Sequence, residues 1–219
     1  MRLLRTSLLA AALALAAGCA RAEPPRPLLW KVSDGDNAVY LLGSFHALRP
    51  GDYPLAPAVD AAFDDAEQVA FELSPAELES PELPRKMLAA AQLPAGQTLE
   101  GVLSARRWKQ LQAYAHKRGL PLANFTRVEP WFLSLVISVT EMQQLGLDPQ
   151  QGLDRQLVAR AQAANKPTLG LETGDEQIAA LDSMSLEEQR QALAESLDEA
   201  GDYRRELEKL HDRWRAGDA

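Results

Sequence analysis

One cysteine, three histidines and no apolar run of the roughly 18 residues needed to cross a bilayer set the first limits on this 219-residue chain. A lone Cys19 excludes any disulfide within one chain. Basic residues are the minority, 23 Lys and Arg against 31 Asp and Glu, for a net charge of −8. Such a surface repels phosphate backbones, which excludes nucleic acid as a partner. No internal repeat and no low-complexity tract interrupts the chain.

What is present begins with an export signal. Arg2 and Arg5 precede an apolar run from Leu8 to Leu15, and Ala20-Arg21-Ala22 follows with small residues at a cleavage site. This is the layout of a secretory signal peptide over residues 1–22. Ala16-Ala17-Gly18-Cys19 also reads as a lipobox, with Ala in place of the usual Leu. Cleavage before Cys19 leaves a lipidated N-terminus; cleavage after Ala22 leaves a free one at Glu23. The expected location is the bacterial periplasm or, as a lipoprotein, the outer membrane, with membrane contact only through the signal or the lipid. Loss of residues 1–22, which hold three Arg and no acid, takes the net charge to −11.

Residues 23–27 read as a Pro-rich linker and 28–219 as one α/β domain. Leu28–Val32 and Ala38–Leu42 flank Asp34-Gly35-Asp36-Asn37 and predict a hairpin. Gln68–Leu73 and Pro167–Leu171 read as buried strands. Together these give a small mixed sheet of about four strands flanked by many helices. Helices are expected over Ala58–Asp65, Leu83–Ala91, Ala105–Lys117, Pro130–Leu145 and Asp154–Ala164, with another opened by the capping box of Ser185 and Glu188. A highly charged last helix follows from Asp202 to Arg215. Its partial apolar stripe, Leu207 with Trp214, predicts weak anchoring. Trp30 and Trp131 are expected in the core, and His116 and His211 on the surface.

Three titratable side chains sit at strand ends. His46 follows a strand through Gly43-Ser44-Phe45, Glu72 ends the next, and Glu172 directly follows the last. Open α/β sheets place their sites beyond the carboxyl ends of the strands. If the strands are parallel neighbours, one imidazole and two carboxylates converge there, with Gly43 letting the backbone bend. The set suits a divalent cation or acid–base chemistry.

Val39-Tyr40-Leu41-Leu42-Gly43-Ser44-Phe45-His46, Phe71-Glu72-Leu73, Pro130-Trp131, Gly152-Leu153-Asp154 and Lys166-Pro167-Thr168-Leu169-Gly170-Leu171-Glu172-Thr173 occur in this order. The ordered set resembles the TraB/GumN family. The resemblance implies a fold shared with Tiki-type proteases, divalent-metal peptidases (Mn or Co type) of extracellular peptides. Their site uses two G-x-x-H motifs, an early Glu and an Arg. Gly43 to His46 matches the first G-x-x-H and Glu72 the Glu; neither His116 nor His211 has Gly three residues before it. The implied reading is a metal-dependent hydrolase on a peptide or protein substrate. His46 and Glu72 are its metal ligands, with Glu172 as a third candidate; Glu72 and Glu172 are its catalytic carboxylates, Glu172 as the base or as the group that orients His46. The alternative is a non-catalytic periplasmic binding or accessory protein on the same fold; a role beside exported polysaccharide is a weaker third. The missing motif also predicts a chain lacking the family's C-terminal third, with an open sheet edge available for self-association.

Overall fold

The computed structural model describes residues 23–198 and 200–218. The signal and lipobox readings, Cys19 included, lie outside the described residues. The chain is mixed α/β. Strands β1 (Leu29–Ser33) and β2 (Ala38–Leu42) form an antiparallel hairpin. Strands β3 (Val69–Leu73) and β4 (Thr168–Glu172) pair in parallel. All four lie within a residue or so of the sequence expectation, but they make two separate two-stranded sheets, not one. Strand pairing is set by contacts distant in sequence, which local apolar runs do not specify.

Ten α-helices are described, numbered here in chain order. They are α1 (Pro57–Asp65), α2 (Pro75–Leu78), α3 (Glu82–Ala90), α4 (Leu99–Val102), α5 (Ala105–Arg118), α6 (Pro130–Gln144), α7 (Leu153–Ala163), α8 (Gly174–Asp182), α9 (Leu186–Asp198) and α10 (Ala200–Ala216). Helix α5 starts because Ser104 Oγ accepts from the Arg107 N–H, and stops because Gly119 takes a left-handed φ of 69°. Helix α6 opens on Pro130, which has no N–H to leave unpaired. Helix α8 carries a capping box of Thr173 and Glu176 that the sequence reading passed over.

Helices α5, α6 and α9 bury Leu111, Tyr114, Leu133, Ile137 and Leu193 in one helical core. Glu141 of α6 is fully buried beside that core and accepts from Tyr114 Oη at 2.7 Å and from Arg118 Nε and Nη2 at 2.7 and 2.8 Å. A second core joins Leu48, Leu55, Val59, Leu153 and Trp214, with Leu29, Leu42 and Phe45 packed on it. This core fixes the hairpin and the loop after it.

Three expectations fail here. The last helix is firmly docked: Leu207, His211 and Trp214 of α10 are all buried. The Trp214 indole N–H donates to the Gly43 carbonyl at 2.9 Å, and His211 Nε2 meets Asp52 Oδ2 at 2.8 Å. His211 is therefore an interior residue, with Phe45 and Trp214 beside its ring; it read as surface because its partner lies far away in the sequence. Trp131 is buried, but Trp30 is half exposed. The register pairs Trp30 with Leu41 and Val32 with Val39, so these four share the outer hairpin face, and all are exposed. His116 is exposed, as expected. No helix among the described residues is long and apolar enough to cross a membrane.

Candidate functional site

The loop from Gly43 to His46 leaves β2 and is tied to the start of α7. The Leu153 N–H donates to the Phe45 carbonyl at 3.0 Å, and Leu48 exchanges backbone hydrogen bonds with Asp148. Gly152, buried at the cap of α7, lies directly against the backbone of His46; a Cβ there would overlap the His46 carbonyl. Gly43 has no such constraint. Its backbone is not left-handed, and an added Cβ would meet Leu28 at an ordinary 3.6 Å. The glycine that the site needs is therefore Gly152.

This packing delivers Asp154, in the first turn of α7, to His46. Asp154 Oδ2 accepts from His46 Nδ1 at 3.0 Å and from Ser44 Oγ at 2.5 Å. A carboxylate in the first turn also sits well against the positive end of the helix dipole. On the far side of the ring, His46 Nε2 lies 3.8 Å from Glu72 Oε2. The imidazole thus stands between two carboxylates, and two-thirds of it is open to solvent.

The electrostatics follow from that arrangement. The hydrogen bond to Asp154 raises the His46 pKa above its ordinary value; burial opposes this, and the charges of Asp154 and Glu72 add to it. Burial pushes Asp154 upward, yet the hydrogen bonds from His46 and Ser44 outweigh it and hold the carboxyl below the usual range.

Of the three residues read from the sequence, the fold brings His46 and Glu72 together and sets Glu172 apart. Glu172 pairs in register with Leu73, so it faces the side of the sheet opposite to its neighbour Glu72. Its carboxylate accepts from the Gln177 side chain at 2.8 Å. The orienting role expected of Glu172 is filled by Asp154, which sequence reasoning missed. Its one signal was a position in Gly152-Leu153-Asp154, an acid two residues after a glycine at a helix start.

Among the described residues no group of three or more His, Cys, Asp or Glu is arranged to hold a metal ion. Asp154 Oδ2 already takes two donors, so His46 Nε2 and the Glu72 carboxylate are the closest pair of candidate ligands. Two ligands on one ion, each about 2.0–2.2 Å from it, lie at most about 4 Å apart. The 3.8 Å separation fits that limit. The donor types fit a borderline divalent cation, and their number is one short of the usual three protein ligands of a catalytic site.

A groove of about 1400 Å³ opens beside this pair, between β2 and β3, with Glu72, Asp154 and Ser44 among its lining residues.

The chain is 28% identical over 147 residues to the uncharacterized protein YbaP of Escherichia coli (strain K12), covering 67% of this chain and 53% of that protein. It is equally similar to YbaP of Shigella flexneri. The chain spans about half the length of these curated relatives. No solved structure matches it significantly. Residues 28–219, from the first hairpin strand through α10, match one family as a whole, and the chain belongs to the TraB/PrgY/gumN family.

Proposed function

We propose that the protein is an exported, divalent-metal-dependent hydrolase acting on peptides, with His46 and Glu72 holding the metal. The observation that carries this reading is the solvent-exposed imidazole held between Asp154 at 3.0 Å and Glu72 at 3.8 Å. Ionised Asp154 can only accept, so the proton of neutral His46 sits on Nδ1. The Nε2 lone pair then points toward Glu72 and is free to bind. Asp154 fixes ring and tautomer as carboxylates do behind metal-bound histidines. When bound, a divalent cation supplies Lewis acidity, polarising a carbonyl and making water a stronger nucleophile. Glu72 contributes negative charge beside that position, and the groove admits substrate.

The test is calorimetric titration of the chelator-treated protein with Mn²⁺ or Co²⁺, with turnover of a fluorogenic peptide library in parallel. His46→Ala and Glu72→Ala are expected to raise the Kd at least tenfold, and Asp154→Ala by about 10- to 100-fold. Wild-type binding no tighter than that of His46→Ala would remove the metal reading. One observation favours the second reading, a non-catalytic periplasmic binding protein: among the described residues no three His, Cys, Asp or Glu side chains are grouped to hold an ion. Metal or peptide binding without turnover would select it.

The basic start, apolar run and Ala-Arg-Ala of residues 1–22 support export. Intact-mass measurement of the protein from a bacterial periplasm or membrane fraction tests this. A mass starting at Glu23, or at Cys19 with a lipid adduct, is expected; a mass including Met1 would refute export.

A further inference from the structure

Two sets of donors compete for the Asp154 carboxylate. Helix α7 opens on Gly152, which has no side chain to cap it. The N–H groups of Asp154 and Arg155 in the first turn therefore have no acceptor within the helix. A carboxylate at this point can swing back onto such amides, as capping carboxylates do. The Asp154 carboxylate is instead drawn across to the loop after β2. Its Oδ2 takes two donors there, Ser44 Oγ at 2.5 Å and His46 Nδ1 at 3.0 Å. The Ser44 contact has the short length of a charge-assisted O–H···O⁻ bond and is the tighter of the two.

The loop presents both donors together. Phe45 turns inward, its ring beside those of His211 and Trp214. The residues on either side of it, Ser44 and His46, are exposed, and both reach Asp154. The Ser44 hydroxyl makes no other hydrogen bond among the described residues. The backbone of this loop is already tied to α7 by the Leu153 to Phe45 hydrogen bond, so the hydroxyl is not needed to join the two elements.

We propose that Ser44 is a positioning residue for His46. Its hydroxyl holds Asp154 Oδ2 on the loop side, and Asp154 keeps the imidazole proton on Nδ1 and the Nε2 lone pair free. Which ring nitrogen carries the proton is set by the hydrogen bond that the other makes. Without the hydroxyl, His46 alone competes with the amides of α7 for the carboxylate. The ring then gains a form protonated on Nε2, and that nitrogen donates where it would otherwise bind a cation. The effect on the imidazole rests on the geometry alone; its consequence for a metal ion rests on the hydrolase reading above.

The experiment compares Ser44→Ala, Ser44→Thr and Asp154→Ala with wild type. Nitrogen-15 NMR of the metal-free proteins at alkaline pH, where the ring is neutral, reads the tautomer of His46. Wild type and Ser44→Thr are expected to hold the proton on Nδ1, and Ser44→Ala to mix in the Nε2 form. The double variant, Ser44→Ala with Asp154→Ala, is expected to match Asp154→Ala alone, because Ser44 acts only through the carboxylate. Calorimetric titration with Mn²⁺ is expected to follow the tautomer. The Kd rises by about threefold or more in Ser44→Ala, less than in Asp154→Ala, and returns to the wild-type value in Ser44→Thr. A wild-type tautomer in Ser44→Ala would overturn the proposal, and a lower urea midpoint beside it would assign the hydroxyl to folding. A double variant with a larger loss than Asp154→Ala would overturn it as well. A tautomer that shifts in Ser44→Ala, in a protein that binds no Mn²⁺ even as wild type, would uphold the role of Ser44 and sink the metal reading alone.

Discussion

Asp52→Ala is expected to remove about 3–5 kcal/mol of folding stability and to release the C-terminal helix. Asp52 is almost fully buried. Its Oδ2 accepts from the Arg49 N–H at 2.7 Å and from His211 Nε2 at 2.8 Å, and its Oδ1 takes the Arg215 guanidinium. His211 is equally buried, and its Nδ1 has no hydrogen-bond partner among the described residues. Removing Asp52 leaves both ring nitrogens unpaired in the interior, so the variant loses an interaction and keeps its desolvation cost. The helix carries Trp214 with it, so indole fluorescence shifts to the red as urea is added, at a lower midpoint than in wild type. Leu210→Ala is the control: Leu210 lies on the same helix but is more than half exposed, and a change within about 0.5 kcal/mol is expected. An Asp52→Ala loss under about 1 kcal/mol would mean that α10 is held by apolar contacts alone.

The same group gives stability a pH dependence with a definite sign. Burial alone would raise the Asp52 pKa, but the Arg49 N–H, His211 and Arg215 together hold it below the ordinary value of 3.8. A carboxyl depressed by folding stabilises the native state above its unfolded pKa, and that contribution disappears as pH falls through the folded value. Urea midpoints measured downward from about pH 5 are therefore expected to fall in wild type below about pH 4. In Asp52→Ala this component of the acid loss is absent, so the two curves converge in acid.

Signals that act within one turn of chain were readable in the sequence. Asp34 Oδ1 accepts from the Asn37 N–H at 2.9 Å, so the hairpin turn follows from Asp and Asn at fixed offsets. Ser104 and Gly119 bound α5 for equally local reasons. The positions of His46 and Glu72 were legible because one lies just past a short apolar strand and the other near the end of the next. What failed depended on partners far along the chain. Leu207, His211 and Trp214 recur at helical spacing, but a histidine inside a charged helix reads as polar until Asp52, 159 positions away, is known. Apolar residues occupy both faces of β1 and β2, so alternation alone could not decide that Trp30 and Leu41 face outward. Glu172 was assigned by its strand end, and a one-residue offset in register put it on the wrong face. The open strand edge expected from the missing motif is present among the described residues; the loose terminal helix expected with it is not.

Gly152→Ala is expected to cost about 3 kcal/mol and to take His46 away from Asp154, while Gly43→Ala is tolerated. The contrast tests which glycine builds the site. Gly152 has φ −54° and ψ 147°, which any residue adopts, so no conformational argument requires glycine there. The requirement is one of space. A Cβ would overlap the His46 carbonyl oxygen, lie 2.7 Å from its carbon and 3.2 Å from the Pro149 oxygen. All three are backbone atoms, so no side-chain rotation relieves the overlap, and α7 must move off the loop. Overpacking of this kind typically costs about 1–3 kcal/mol, and a backbone obstacle belongs at the upper end. The movement stretches the Leu153 to Phe45 hydrogen bond and withdraws Asp154 from Ser44 and His46. Nitrogen-15 NMR of the imidazoles reads the second effect separately from stability. In wild type the His46 Nδ1 proton is held by Asp154; in Gly152→Ala it is expected to exchange freely with water, as in Asp154→Ala. At Gly43 an added methyl meets Leu28 at ordinary contact distance, so stability and the His46 signal are expected to stay near wild type. Equal losses in the two variants, or a protected Nδ1 proton in Gly152→Ala, would show that the close approach of Gly152 to His46 does not hold the imidazole in place.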